Sequence, residues 1–345
     1  MRFSKKTSLA VAVLSLVILN AVSAEENVTN ETISNSIQGN ERIIMQGIIQ
    51  NLTEDEQENV IYINEIGDVY ANKPELKEEV IEVEKLHDNV FQDKNGEIYV
   101  VPKQDPRPTV TSTTYDNTEL SIMASYPSCT GGSGPYRRVY SNPSYSWATA
   151  YVHLPGGSEI NDNNKNASGD TGFVYMGGWG NLGGGVDAGL QHSSTFDNWA
   201  PIFQVDGRPL PQTPRFKSNQ DIFIKFWVSN DNQVSMYISG NDTNNQKITR
   251  TYIIDVRGFS KAGGNILKRM STIGQKENNE NLSSGSYIHN VHWYNSYIGT
   301  SSISNHAWTA ADQASDSQNG YCSYTPSKVS VQYVNAGEET VNIDL

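Results

Sequence analysis

The sequence predicts an all-β fold, an antiparallel sandwich or jelly roll, preceded by a small acidic segment that is α+β or partly disordered. Three observations predict it. From about residue 109 onward the chain is rich in Gly, Asn, Ser, Tyr and Trp. In that region, short β-branched and aromatic stretches recur at regular intervals between turn residues. Apart from a turn near Ala310-Ala311, no apolar repeat of helical period runs there for a useful length.

The chain opens with Arg2, Lys5 and Lys6, then an apolar stretch from Leu9 to Leu19 broken only by Ser15. Val22-Ser23-Ala24 follows, with small residues where a signal peptidase cuts before Glu25. Residues 1–24 therefore read as a signal peptide, and the mature chain as secreted and extracellular. An apolar run of roughly 11 residues is too short for a bilayer, which takes about 20. No later stretch is more apolar, so no membrane span is expected in the mature chain.

Residues 25–107 form the acidic segment. They hold 19 acidic and 7 basic side chains, and so carry most of the net charge of −13. A chain this acidic excludes nucleic acid as a partner, because phosphate binding needs a basic surface. Residues 25–40 are polar and read as disordered. Glu75 to Leu86 has helical composition behind Pro74, a residue favoured in a first helical turn. Ile61 to Ile63 and Glu97 to Val101 read as strands beside turn signals at Gly67-Asp68 and Lys94-Asn95-Gly96. Pro102, Pro106 and Pro108 then make a stiff linker to the domain at 108–345. The acidic segment has the character of a propeptide or a spacer.

Within 108–345 the strand candidates are 147–154, 172–177, 185–192, 200–206, 221–229, 233–239, 248–256, 287–298 and 328–334. The clearest signal is the hairpin from Asp221 to Ser239. Opposing Ile224 to Ile238, Phe226 to Met236 and Val228 to Val234 puts all six on one buried face. Lys225 and Trp227 then share the other face with Tyr237 and Ser235, around an odd-length loop centred on Asp231. Cys129 and Cys322 lie near the two ends of the domain, and in an exported protein they permit one disulfide. Closing a loop of roughly 190 residues would contribute about 5 kcal/mol on the chain-entropy model.

The candidate site centres on residues 177–193. Six glycines from 177 to 185 let a ligand or another backbone approach closely. In the strand that follows, Asp187 and Gln191 flank Gly189 on one face. A carboxylate and an amide beside a bare patch suit sugar hydroxyls. Gln204 or Asp206 would join them from the next strand, and Trp179 and Trp199 would stack on sugar rings. Trp227 and Tyr237 form a second candidate surface.

Catalytic and metal signals are weaker. Glu159, Asp162 and Asp170 could offer oxygen ligands to calcium, but lack the regular spacing of a calcium loop. No other cofactor is expected. A glycosidase needs two close carboxyls, of which only Asp187 suggests itself. His192, His289, His292 and His306 show no zinc spacing. Alternation puts His289 with Trp293 on one strand face and His292 on the other. A lyase would need a base such as His192 beside cations such as Tyr136-Arg137-Arg138, which otherwise read as an exposed turn.

Gly184 to Gln191, Trp199-Ala200-Pro201-Ile202 and the Phe226 to Ile238 hairpin resemble the YrpD-like group of small secreted Bacillus proteins. The resemblance covers the C-terminal two-thirds and implies secretion and a compact β domain, with no assigned activity. The hairpin also resembles strands of concanavalin-like sandwiches, a fold shared by lectins, glycanases and lyases, so it does not by itself fix function. The leading expectation is a secreted, lectin-like protein that binds extracellular polysaccharide. A glycosidase or polysaccharide lyase on the same fold is the second, and a structural matrix protein the third.

Overall fold

The computed structural model describes residues 32–103, 107, 133–162, 169–205, 207–276, 280–314 and 321–345. Residues 1–24, read above as a signal peptide, together with Cys129, Asp206 and most of the proline linker, lie outside the described residues. Among the described residues the helices α1 (Gly39–Ile49) and α2 (Pro74–Lys77) and the strands β1 to β22 follow in chain order. The acidic segment contributes β1 (Val60–Ile63), β2 (Val69–Ala71), β3 (Val83–His87), β4 (Val90–Asp93) and β5 (Ile98–Val100). Then come β6 (Tyr136–Tyr140), β7 (Trp147–Leu154), β8 (Ile160–Asn161), β9 (Thr171–Trp179), β10 (Gly185–Ser193), β11 (Asn198–Val205), β12 (Arg208–Pro211) and β13 (Phe216–Lys217). β14 (Gln220–Asn230), β15 (Gln233–Asn241), β16 (Lys247–Asp255), β17 (Ile266–Gly274) and β18 (Tyr287–Ser301) are the long strands. β19 (Ser304–Ala307), β20 (Tyr321–Tyr324), β21 (Val329–Asn335) and β22 (Glu338–Asp344) close the chain.

These strands build a sandwich, as the composition predicts. The larger sheet runs β2-β1-β16-β15-β14-β7-β18-β22-β21, with β8 and β19 also on β18. The smaller runs β12-β11-β10-β9-β17-β6-β20, with β13 also on β11. Their pairings are antiparallel except for β1 on β16, which is parallel. The hairpin register is the predicted one: Ile224 faces Ile238, Phe226 faces Met236 and Val228 faces Val234. A bulge between Val228 and Asn230 and a turn at Asp231-Asn232 replace the simple odd loop, with Asn232 at φ 59°.

The inner faces meet in one apolar core that includes Phe226, Met236, Val174, Leu190, Phe203, Trp199 and Trp293. Inside it sits a buried ion triad. Glu339 accepts from Arg137 at 3.0 and 2.8 Å and from Arg269 at 2.9 Å. Burial alone would raise the Glu339 carboxyl, but the two guanidinium groups hold it below its ordinary value.

The two sheets differ on their outer faces. β14 alternates buried and partly exposed positions, as a half-solvated strand should, whereas every residue of β9, β10 and β17 is buried. The smaller sheet is covered on its outer side by β3, β4 and β5, which form a separate three-stranded sheet.

The acidic segment is therefore part of the assembly. Ile33 and Ile37, expected to be disordered, are buried with Met45, Ile49 and Val60. The helix expected at Glu75 to Leu86 stops at Lys77, because Ile81 N donates to Pro211 O (3.0 Å) and the chain enters β3. Tyr136-Arg137-Arg138 is no exposed turn but a buried strand, with Arg137 facing the core and Arg138 facing outward. Among the described residues no helix is long and apolar enough to cross a membrane.

Replacing Glu339 with Gln leaves Arg137 and Arg269 buried without their counter-charge. The expected cost is roughly 3–5 kcal/mol, read as a lower urea midpoint at unchanged slope. An unchanged midpoint would contradict the role assigned to the triad.

Candidate functional site

Strand register sets which predicted site residues meet. Lys268 on β17, Gly177 on β9, Asp187 on β10 and Gln204 on β11 lie directly opposite one another in one row across the smaller sheet. Because Gly177 has no side chain, Lys268 Nζ reaches Asp187 Oδ1 at 2.7 Å. Trp179 lies beside the pair, its ring centroid 4.2 Å from Lys268 Nζ and 5.2 Å from the Arg138 guanidinium carbon. Gln204 Nε2 donates to Tyr175 Oη at 2.6 Å. Burial depresses the Lys268 ammonium, with Asp187 opposing.

Asp187, Gln191, Gln204 and Trp179 therefore share one outer face, as their alternation predicts. Lys268, Arg138 and Tyr175 complete it; of these only Arg138 stands out in the sequence, as part of the cationic cluster Tyr136-Arg137-Arg138. This face is not open. Asp187, Gln191, Gln204 and Trp179 are each no more than 3% exposed. Phe91, Tyr99 and Val101 pack on the same cluster as Tyr175 and Trp179, and Gln191 Nε2 donates to Ile98 O at 3.1 Å. The gap at Gly189 is filled by neighbouring backbone, since a Cβ there would lie 2.0 Å from Val174 O.

Trp199 requires a correction. It points into the core and donates Nε1 to Pro155 O at 2.9 Å, so it offers no ring to a ligand. His192 also takes the side opposite Asp187, 5.2 Å from Trp199 between ring centroids. It therefore joins neither Asp187 nor Arg138 in catalysis. Instead it bridges Asp162 (2.9 Å) and Asp197 (3.2 Å).

The calcium candidates also diverge. Asp162 is held by His192 and by Gly172 N, Asp170 by Gln275 and Ser284, and Glu159 by His153 and Asn290. Among the described residues no three acidic, histidine or cysteine side chains form a metal cluster. Cys322 is fully buried and its Sγ accepts from Arg138 Nη2 at 3.2 Å. Its expected pairing with Cys129 falls outside the described residues.

The second candidate surface lies on the larger sheet. Trp227 borders a small cavity of ≈ 250 Å³ beneath Ile48, Leu52 and Glu56. Lys225 lies 4.7 Å from the Trp227 ring and 5.7 Å from the Tyr237 ring and pairs with Glu56. Burial brings its ammonium down to about 8, against the nearby charge of Asp55.

Tyr237 begins something the sequence did not disclose. Phe223 lies 6.2 Å from it, Tyr151 5.3 Å from Phe223, and Tyr294 5.4 Å from Tyr151, all between ring centroids. Phe223, Tyr151 and Tyr294 occupy directly opposed positions on β14, β7 and β18. His292 extends the row at 4.9 Å from Tyr294. Tyr151 is 39% exposed and Phe223 and Tyr294 are partly exposed. A polar rim runs beside them. Asp221 accepts from Tyr294 Oη at 3.0 Å and contacts His153 at 2.9 Å, and His153 contacts Glu159 at 3.1 Å. A bulge at Asn290 (φ 59°) turns His289 to the outer face along with His292, against simple alternation. His289 stacks on Tyr287 and contacts Asp344 at 2.8 Å.

No protein-family model and no curated protein matches the chain. Among solved structures it is similar to scytalido-glutamic peptidase bound to a peptide-based transition-state analogue, at 9% identity and a TM-score of 0.39 over 61% of this chain and 98% of that one. SCP-B, a peptidase of the eqolisin family in complex with a tripeptide, matches at 8% identity and 0.36, over 62% and 98%. Peanut lectin with a nine-residue peptide matches at 12% identity and 0.19, over 42% and 66%. Likenesses this distant are no basis for assigning an activity.

Burial alone would lower the pKa of His192, but its bonds to Asp162 and Asp197 outweigh that and hold it at about 9. A histidine raised on folding contributes stability that is fully present below its unfolded pKa of about 6.5 and is lost as pH rises through about 9. The expected loss across that window is up to about 3 kcal/mol, read from urea midpoints against pH. His192→Gln should flatten the slope, and an equal slope in that variant would refute the assignment.

Proposed function

We propose that this is an exported protein that binds a neutral extracellular polysaccharide along the aromatic row of its larger sheet. One observation carries the reading: Phe223, Tyr151 and Tyr294 stand opposite one another on three adjacent strands, on a solvated face, with His292 prolonging the row and the buried Tyr237 closing its other end. Neighbouring strands lie roughly 4.8 Å apart, so the rings form a continuous track across the sheet. Aromatic rings bury apolar area at small entropic cost and suit the C–H faces of sugar rings. Asp221, His153, Glu159 and Asn290 beside them offer donors and acceptors to hydroxyls.

Charge favours a neutral polymer. Asp221, Glu159, Glu338 and Asp344 rim the row on a chain of net charge −13, and that field repels uronates and phosphates. Export is supported by the pattern from Arg2 to Ala24. In that compartment a Cys129–Cys322 disulfide would tie the ends of the sandwich domain together.

Tyr151→Ala, Phe223→Ala and Tyr294→Ala should each lower retention on the bound member of a panel of insoluble neutral glucans, chitin and xylan. The expected loss is about tenfold per ring, corresponding to about 1.4 kcal/mol. The exposed Ile303→Ser, away from the row, should leave retention unchanged. Retention that survives all three ring substitutions would rule the row out as the binding surface.

A further inference from the structure

The sheet formed by β3, β4 and β5 lies on a face rich in polar and charged side chains. Tyr99 is fully buried and Phe91 is 9% exposed, and with Val101 they pack against Tyr136, Tyr140, Phe173, Tyr175 and Trp179. A main-chain carbonyl of β5 also accepts a side-chain bond from the bed, Gln191 Nε2 to Ile98 O at 3.1 Å. Beside it, Asn89 Nδ2 donates to Gln275 O at 3.0 Å, and Glu97 pairs with Arg215. The bed thus holds an extended strand by one buried aromatic side chain, one main-chain carbonyl and one acidic flank.

The fit leaves polar atoms unmatched. Gln191 Oε1 and Gln204 Oε1 are buried without a hydrogen-bond partner. Each such group destabilises the closed arrangement, because its lost bonds to water are not replaced. A cover that belonged permanently to the core would be expected to meet an apolar bed. Here the face it covers carries, beside the aromatic rings, the Lys268–Asp187 pair, Arg138 and two glutamines, all at least nine-tenths buried. Among the described residues no strand ladder joins β3, β4 or β5 to either large sheet. Such an element, held to the sandwich by packed side chains and by side-chain bonds to main-chain carbonyls, can open locally at less cost than the sandwich strands.

We infer that the outer face of the smaller sheet is a binding site for an extended polypeptide strand bearing an aromatic residue and an acidic flank, and that residues 83–101 occupy it in cis. The occupant on the page is a peptide, and its contacts define the ligand class. Gln191 binds the main chain, the aromatic bed formed by Tyr136, Phe173 and Tyr175 takes the side chain, and Arg215 takes the acidic flank. This site is distinct from the aromatic row, which lies on the other sheet. The cis strap lowers the apparent affinity for a peptide in trans by the fraction of molecules in which it is open.

The test uses the full chain and a labelled synthetic peptide of sequence 83–103. The unmodified protein should bind the peptide weakly or not at all. Tyr99→Ala, which loosens the strap, should bind the native-sequence peptide more than about tenfold tighter, and a scrambled peptide should not bind. Adding Gln191→Ala should remove about fivefold of that gain. Hydrogen exchange should show residues 83–101 opening in Tyr99→Ala while β14 and β15 keep their protection. If Tyr99→Ala does not fold, Glu97→Arg opens the strap by making its contact with Arg215 repulsive. An opened strap without peptide binding overturns the inference. So does a strap that exchanges as slowly as the sandwich core in both variants, because it would then be a permanent layer.

Discussion

Lys268 and Asp187 meet across Gly177, 2.7 Å apart and shielded from water, on the side of the smaller sheet that faces away from the core. Two charges taken out of water carry a desolvation cost of several kcal/mol each, and only close geometry and further partners offset it. Much of the architecture follows from this. Gly177 must stay small, because a Cβ there would lie 2.2 Å from Val186 O. Trp179 and Arg138 supply the aromatic and cationic surroundings. A layer of chain must keep water off the face, and the acidic segment provides it. The charge asymmetry of the sequence thus has a structural counterpart: within the acidic piece Glu97 pairs with Arg215, Glu56 with Lys225 and Glu79 with Arg250.

The larger sheet follows the opposite rule. Its central strands alternate between core and solvent, so its outer face can carry exposed rings without opening the fold. The inner faces share one core, with the Arg137–Glu339–Arg269 triad buried between the sheets. The two outer faces are consequently independent. One presents an aromatic row to the surroundings, and the other is closed by the protein's own chain.

The strands that alternate cleanly were legible from the sequence, including the full pairing of Ile224 to Val228 with Val234 to Ile238. Among the strands that were missed, β6, β17 and β22 carry Arg137, Arg138, Lys268, Arg269 and Glu339. A linear reading assigns such residues to the surface, and only the partner across the sheet shows otherwise. Alternation on β10 correctly grouped Asp187 with Gln191 and set Val186 and Leu190 opposite. It could not show that Trp199 faces the core, because tryptophan suits either side of a strand. The aromatic row was hidden for a different reason: Tyr151, Phe223 and Tyr294 are far apart in sequence and become neighbours only through register. At Asn290 a single bulge reversed the expected faces of β18, which is why His289 and His292 were misassigned relative to each other.

The most direct measurement is an oxidative footprint of aromatic side chains on the full chain, with and without a saturating soluble neutral glucan. If the polysaccharide lies along the larger sheet, Tyr151, Phe223 and Tyr294 lose reactivity together, while Tyr99 and Trp179 stay unreactive throughout. Protection that leaves those three rings untouched, or that appears only with exposure of Tyr99 and Trp179, would place the glycan on the smaller sheet and contradict the account.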